Sequence, residues 1–225
     1  MPLAGGLVCL VAFLVLTAIV TRDGFRAADA LARALVEQWS HGSLRSFMEA
    51  ASYVGGHPGQ ISVILLGSVA LWPRHRRWAL SLPVVMAGAG LLQLTAKWAV
   101  ERPRPNLDPW GFPSAHVLTL VVLLGYIAYV VGGSSARRAW RTLAVGACVA
   151  IVATVAYSRM YLNAHWLSDV LGGGMAGLAY LLLAICLIRS MPLAARPRFA
   201  PASERTGLDD VSAAARALAA PTGRT

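Results

Sequence analysis

The chain is short of charge, and above all of acid. Only 13% of its 225 residues are charged, and ten Asp and Glu stand against twenty Lys and Arg. Soluble domains carry about a quarter of their residues as charges, so an ordinary water-soluble fold is excluded. The shortage of acid also leaves the loops without a carboxylate cluster to hold Mg²⁺, and no metal or other cofactor is expected. Cysteine is equally sparse. Cys9, Cys148 and Cys186 fall inside apolar runs with no close pair and no metal-ligand spacing, which describes buried thiols rather than a disulfide framework. There is no internal repeat. A formal charge of +10 would suit a nucleic-acid partner, but the basic residues bracket hydrophobic stretches and lack aromatic interleaving or a nucleic-acid motif, so none is expected.

What the chain has in abundance is apolar sequence: 57% hydrophobic residues and a mean hydropathy of +0.60. Apolar runs cover Leu3 to Val20, Gly59 to Trp72, Trp78 to Ala96, Val117 to Gly133, Thr142 to Tyr157 and Val170 to Ile188. A membrane span needs about 20 residues, so the expected fold is all-α, a polytopic membrane bundle of about six transmembrane helices. The second and fifth runs are short and are expected to recruit Tyr53 to Pro58 and Ser158 to Leu162. The first run is read as a retained helix, because Met1 to Gly6 holds no Lys or Arg and no small-x-small cleavage site precedes Arg22.

Four segments follow: 1–20, a first transmembrane helix; 21–58, an extracytoplasmic amphipathic connector; 59–190, a core with its loops at the outer face; and 191–225, a mobile cytoplasmic tail in which Leu208 to Leu218 could form a short helix. The charge pattern sets the orientation. Pro73-Arg74-His75-Arg76-Arg77, then Arg137, Arg138 and Arg141, then Arg189, Arg196 and Arg198 fall on one side, which the positive-inside rule makes cytoplasmic together with both termini. In the connector, Leu31, Leu35, Val36 and Trp39 recur at helical spacing with Arg33 and Glu37 between them. This predicts an interfacial helix, either resting on the headgroups or covering a site. His41 and His57 are assigned to the connector rather than to chemistry, and Gly173-x-x-x-Gly177 to close helix packing.

The outward loops are polar in a particular way. Ser158 to Asp169 packs Arg159, His165 and Asp169 between two apolar runs, where such groups are costly and call for a function. The four-residue spacing of His165 and Asp169 would put them on one helix face, with the carboxylate orienting the imidazole as a nucleophile or base is oriented. The loop from Lys97 adds Arg102, Arg104 and Glu101, with Arg104 locked between two prolines. A guanidinium fork held this rigidly suits a phosphate. The same loop ends in Pro113-Ser114-Ala115-His116 at the start of the fourth run. Ser114 fits a helix N-cap, and the amides and dipole there favour an anion. Cations, two histidines and an orienting acid are what phosphoryl transfer needs.

These motifs resemble those of the type 2 phosphatidic acid phosphatases, whose superfamily includes bacterial acid phosphatases and vanadium haloperoxidases. The family pattern is Lys-x6-Arg-Pro, Pro-Ser-Gly-His and Ser-Arg-x5-His-x3-Asp. The chain carries Lys97 to Arg104-Pro105, Pro113-Ser114-Ala115-His116, and Ser158-Arg159 to His165 and Asp169, in that order. The resemblance implies that His165 is a nucleophile forming a phosphohistidine, Asp169 its orienting partner and His116 the acid for the leaving oxygen. It also implies that Lys97, Arg104, Arg159, Ser114 and the amides near Ala115 bind the phosphoryl group, without a metal. The activity implied is that of an integral lipid phosphatase acting on a lipid phosphate or polyprenyl pyrophosphate, surrounded by membrane lipids. The charge pattern places it at the outer face, and the Ala, Arg and Gly-rich composition and compact length point to a bacterial plasma membrane. A transferase using the same intermediate, or a non-catalytic lipid-phosphate binder, are the alternatives. Ala115 stands where the family has Gly, a change that costs little if the position is helical and about 1 kcal/mol or more if it needs positive φ.

Overall fold

A computed structural model describes residues 2–132 and 138–191. Seven α-helices are present among them: α1 (Pro2–Val20), α2 (Arg26–Gln38), α3 (Arg45–Val54), α4 (His57–Val100), α5 (Ala115–Gly132), α6 (Arg138–Tyr161) and α7 (Leu167–Ser190). A 3₁₀ turn, Gly42–Leu44, precedes α3. Five of these helices, α1, α4, α5, α6 and α7, are long and apolar enough to cross a membrane. The expected tail, apart from Met191, and the basic residue Arg137 lie outside the described residues.

The six expected runs reduce to five helices because the second and third share α4. Its 44 residues contain Pro73 and Pro83 and one break, His75, with φ −138° and ψ 48°. At about 1.5 Å per residue a straight helix of this length would reach about 66 Å, twice a bilayer core. The chain instead reverses at His75. A Cβ on Gly67 would lie 3.4 Å from the Leu82 side chain, although a straight helix would separate these residues by about 22 Å. Pro73, which lacks an amide and crowds the preceding turn, stands two residues before the break. The two arms therefore form a helical hairpin whose tip is the basic stretch Arg74 to Arg77.

Two boundaries differ from expectation. Only His57 and Pro58 join the start of α4, while Tyr53 and Val54 end α3, a second short helix of the connector that the periodicity of Leu31 to Trp39 did not indicate. The fifth run does extend at its end, through Tyr161. It also extends at its start, because Arg138 and Arg141 can lie in the first turns of α6 with their heads at the membrane surface.

The core is built around α5 and α7. Gly173 and Gly177 form the contact stripe, for a Cβ at either would lie 2.7 Å from a backbone oxygen, that of Ser114 just before α5 and that of Leu118 within it respectively. Small residues there let the two backbones approach. Leu82, Leu118, Leu123 and Tyr126 are fully enclosed. The Tyr126 hydroxyl donates to the Trp78 carbonyl at 2.9 Å and lies 2.5 Å from the Ser81 hydroxyl, so no phenol is left unpaired at depth.

Candidate active site

The polar loops meet at one end of the bundle. Lys97 occupies the last turn of α4 and is 7% exposed, and its ammonium donates to the Trp110 carbonyl. Glu101, at φ 47°, ends the helix in the left-handed region. The loop then closes on itself, with Arg104 N bonding Asp108 O at 2.8 Å, Leu107 N bonding Arg104 O at 3.0 Å and Gly111 N bonding Arg102 O at 2.6 Å. Ser114 N bonds Asp169 O at 2.9 Å, fastening this loop to α7.

The turn between α6 and α7 is equally determined. Asn163 adopts φ 59°, a conformation Asn tolerates at helix ends. Ala164 N and His165 N both donate to Arg159 O, at 3.0 and 3.2 Å, so the backbone of Arg159 holds that of His165. His165 Nδ1 lies 3.3 Å from Asp169 Oδ2, which also accepts Trp166 N at 2.9 Å. His165 does not share a helix with Asp169 as the spacing had suggested. It precedes α7 by two residues while Asp169 sits in the first turn. The carboxylate reaches back as a cap does, which satisfies a free amide and the imidazole together. A carboxylate only accepts, so Nδ1 carries the proton and Nε2 keeps a free lone pair.

Ser114 is fully buried. Its carbonyl starts α5 by accepting Leu118 N at 3.0 Å, but its hydroxyl makes no capping bond. Ser114 Oγ, Arg104 Nε and Arg159 Nε are three of only five buried side-chain polar atoms among the described residues that lack a hydrogen-bond partner. Unpaired buried donors are costly, and their concentration in the residues the motifs singled out is what an anion site requires. Ala115 is the first residue of α5 and is not among the residues with positive φ, so the methyl group meets the inexpensive case. His116 follows in the first turn. A cavity of about 390 Å³ opens beside it, lined by Glu49, Ser52, Tyr53, Gly56, His57 and Leu162 among others. His57 thus comes near His116, which its place in the connector had not suggested.

The charges of Lys97, Arg104 and Arg159 act on one another, and those of Arg159 and Lys97 also act on His165. Burial holds the His165 imidazole below the ordinary histidine range; Arg159 and Lys97 push in the same direction, and Asp169 opposes them. A lowered value keeps the ring neutral and nucleophilic at pH 7. The acid limb of kcat/KM assigned to this group is therefore expected below about pH 6.5, the ordinary histidine value. The same shift makes the folded state bind its proton less readily than the unfolded chain, so His165 costs stability as pH falls through that value. A pH–rate profile in detergent, with the acid limb at or above 6.5, would contradict this.

Sequence reasoning missed four neighbours. Arg102, counted as one of the loop's cations, is directed to Asp169 Oδ1 at 2.9 Å and to Asp29 Oδ2 at 2.6 Å. Asp29 of α2 and Ser168 of α7 complete that group, and Ser52 of α3 bonds Arg159 Nη1 at 2.5 Å. Arg102 stood in the right segment, but the contacts of Asp29 and Ser52 cross more than a hundred residues to α7 and α6, and no local pattern announces them.

The fold and this cluster together define a class, a helical membrane protein that gathers cations, two histidines and an orienting carboxylate at one end of its bundle. The chain belongs to the PAP2 superfamily, whose family model matches residues 78–190. It is 26% identical to the phosphatidylglycerophosphatase B of Bacillus subtilis over 178 residues, covering 74% of this chain and 86% of that protein. It is also 26% identical over 164 residues to the lipid phosphate phosphatase delta of Arabidopsis thaliana, covering 65% of this chain but only 39% of that longer protein. Among solved structures, the transmembrane PAP2 type phosphatidylglycerolphosphate phosphatase of Bacillus subtilis superposes with a TM-score of 0.76, 22% identity and coverage of 83% and 97%. Aquifex aeolicus LpxE superposes with a TM-score of 0.56, 15% identity and coverage of 70% and 94%. These two likenesses establish the fold.

Proposed function

We propose that the protein is a metal-independent lipid phosphatase that removes a terminal phosphate through a phosphohistidine. The observation that carries this reading is the set of unpartnered buried donors, Arg104 Nε, Arg159 Nε and Ser114 Oγ, beside a histidine whose Nδ1 is held by a carboxylate. Lys97, Arg104 and Arg159 neutralise the phosphoryl oxygens, a task that a divalent cation performs elsewhere. His165 Nε2 attacks phosphorus in line, the N–P bond forms as the P–O ester bond breaks, and His116, which takes up a proton when the negative phosphate enters the site, gives that proton to the leaving oxygen. Asp169 stabilises the charged imidazole. Water then attacks the phosphohistidine with His116 taking its proton, and inorganic phosphate leaves.

The substrate is a lipid because the site lies where the helices meet the membrane surface. The hairpin tip Arg74 to Arg77, the start of α6 and the end of α7 occupy the opposite end of the bundle from the site. By the positive-inside rule this supports a site facing out from a bacterial plasma membrane. The test is phosphate release from phosphatidate, phosphatidylglycerophosphate and polyprenyl pyrophosphate in detergent micelles, with lipid products identified. Release of inorganic phosphate with the matching dephosphorylated lipid is expected for at least one substrate. Binding of vanadate without turnover of any would overturn the reading, and transfer of the group to an added lipid alcohol without free phosphate would replace hydrolase by transferase.

A further inference from the structure

The amphipathic helix α2 is also joined, through Asp29, to the group that holds the candidate nucleophile. α2 is two-faced. Leu31, Leu35 and Trp39 are 63%, 49% and 67% exposed, whereas Asp29 is 2% exposed and Val36 is also buried. A carboxylate so enclosed must be paired on both oxygens or it costs several kcal/mol. Asp29 is fully paired: Oδ1 accepts Ser168 N at 2.8 Å, and Oδ2 accepts the Ser168 hydroxyl at 2.7 Å and Arg102 Nη2 at 2.6 Å. Arg102 uses its other terminal nitrogen, Nη1, on Asp169 Oδ1 at 2.9 Å and Ser168 Oγ at 2.5 Å. Asp169 in turn spends its second oxygen on His165. Trp166, which follows His165, is held too, its indole donating to Pro103 O at 3.1 Å and its ring flanked by the guanidiniums of Arg33 of α2 and Arg102.

We infer that Asp29 is a positioning residue for the reaction: acting through Arg102 and Ser168, it holds the Asp169 carboxylate in the one orientation that presents His165. The inference rests on the phosphohistidine reading above. It also separates the loop's cations by role. Lys97 and Arg104 remain available to phosphate, whereas Arg102 is committed to two carboxylates, and its charge is matched by Asp29 so that Asp169 is not drawn away from the imidazole. A rigid support of this kind fixes a reactive group to within the tolerance that catalysis demands.

The charge logic predicts shifts of opposite sign. Asp169 of α7, Arg159 of α6, Lys97 of α4 and His116 of α5 act on His165 directly, whereas Arg102 of the loop and Asp29 of α2 reach it through Asp169, and Arg33 of α2 lies over the neighbouring Trp166 ring. Asp29→Asn removes a negative charge and leaves Arg102 with only Asp169 to pair, so the acid limb of kcat/KM moves to lower pH. Arg102→Gln removes a positive charge beside Asp169, so the limb moves to higher pH. Both variants lower kcat by about 10- to 100-fold, the range found for lost supporting hydrogen bonds, with KM changed less than about threefold because neither residue touches phosphate. Arg102→Lys keeps the charge and restores the limb to its wild-type place with partial recovery of kcat.

The experiment measures full-chain enzyme in mixed micelles of phosphatidylglycerophosphate and of phosphatidate, as kcat, KM and pH profile, beside His165→Ala. Wild-type turnover abolished by His165→Ala, with the opposed shifts in the two variants, supports the inference. Wild-type turnover with Asp29→Asn at unchanged kcat, or with both limbs moving the same way, overturns it while leaving the phosphatase reading intact. Turnover that survives His165→Ala overturns that reading instead. Should Asp29→Asn not fold, the pair Arg102→Gln and Arg102→Lys decides: a limb that fails to rise in the first or to return in the second overturns the inference.

Discussion

His165→Ala is expected to lower phosphate release by about 10⁴- to 10⁶-fold, the range seen when a covalent hydrolase loses its nucleophile. That corresponds to about 5–8 kcal/mol of lost transition-state stabilisation. The protein should still fold, because removing the ring leaves Asp169 with Trp166 N at 2.9 Å and Arg102 at 2.9 Å, so no buried carboxylate is stranded. The proposed phosphate cradle stays in place as well, since Arg104, Arg159 and Ser114 do not depend on the imidazole for any hydrogen bond. The measurement is single-turnover release from a radiolabelled lipid phosphate, quenched in alkali, where a phosphohistidine survives. Wild type should carry label on the protein and His165→Ala none. A variant within tenfold of wild type would show that the attacking group is something else.

Arg104→Gln and Arg159→Gln carry the second largest effect, each expected to reduce kcat/KM by about 10²- to 10³-fold, as loss of one preorganised donor to developing charge does elsewhere. Both residues have a buried Nε without a partner, but they differ in support. Arg159 Nη1 is fixed by Ser52 at 2.5 Å, whereas Arg104 leans on Asp108 at 3.9 Å and on the prolines around it. Lysine should rescue either poorly, because an ammonium is a point charge and cannot reproduce the fork. Steady-state kinetics on the same lipid phosphate check this. Ser52→Ala, which frees the Arg159 head without removing it, should raise KM more than it lowers kcat. Wild-type kinetics for either Gln variant would remove that arginine from the cradle.

Much of the fold was legible because a membrane imposes simple rules. Apolar runs of bilayer length had to become helices, since backbone groups in hydrocarbon have no other partner. Gly173 and Gly177 announced close packing because only a missing side chain permits it. Where the reading fell short, the cause was local. His75 turns α4 back on itself at a short basic tip, and α3, though as two-faced as α2, has only 10 residues in which to show its pattern. Legibility of the site followed the same division. Lys97, Arg104, Ser114, His116, Arg159, His165 and Asp169 lie in three compact motifs, each within one loop and its adjoining helix end. Such motifs are visible in the chain because a loop anchored by a helix delivers its residues together.

By itself the sequence determined that the chain is a helical membrane protein, that its helices number about as many as its apolar runs, and which side chains are candidates for anion chemistry. These follow from composition, length and spacing, which do not depend on how the helices pack. Only the tertiary structure decided how the chemistry is held. It placed His165 ahead of α7 rather than on it, left Arg104, Arg159 and Ser114 with unspent donors, and brought Asp29 and Ser52 from the surface helices to Arg102, Ser168 and Arg159. Those contacts join residues far apart along the chain. Their reason is energetic: a carboxylate, a guanidinium and a hydroxyl buried at a membrane boundary are tolerated only when each finds a partner, and packing determines which partner lies within reach.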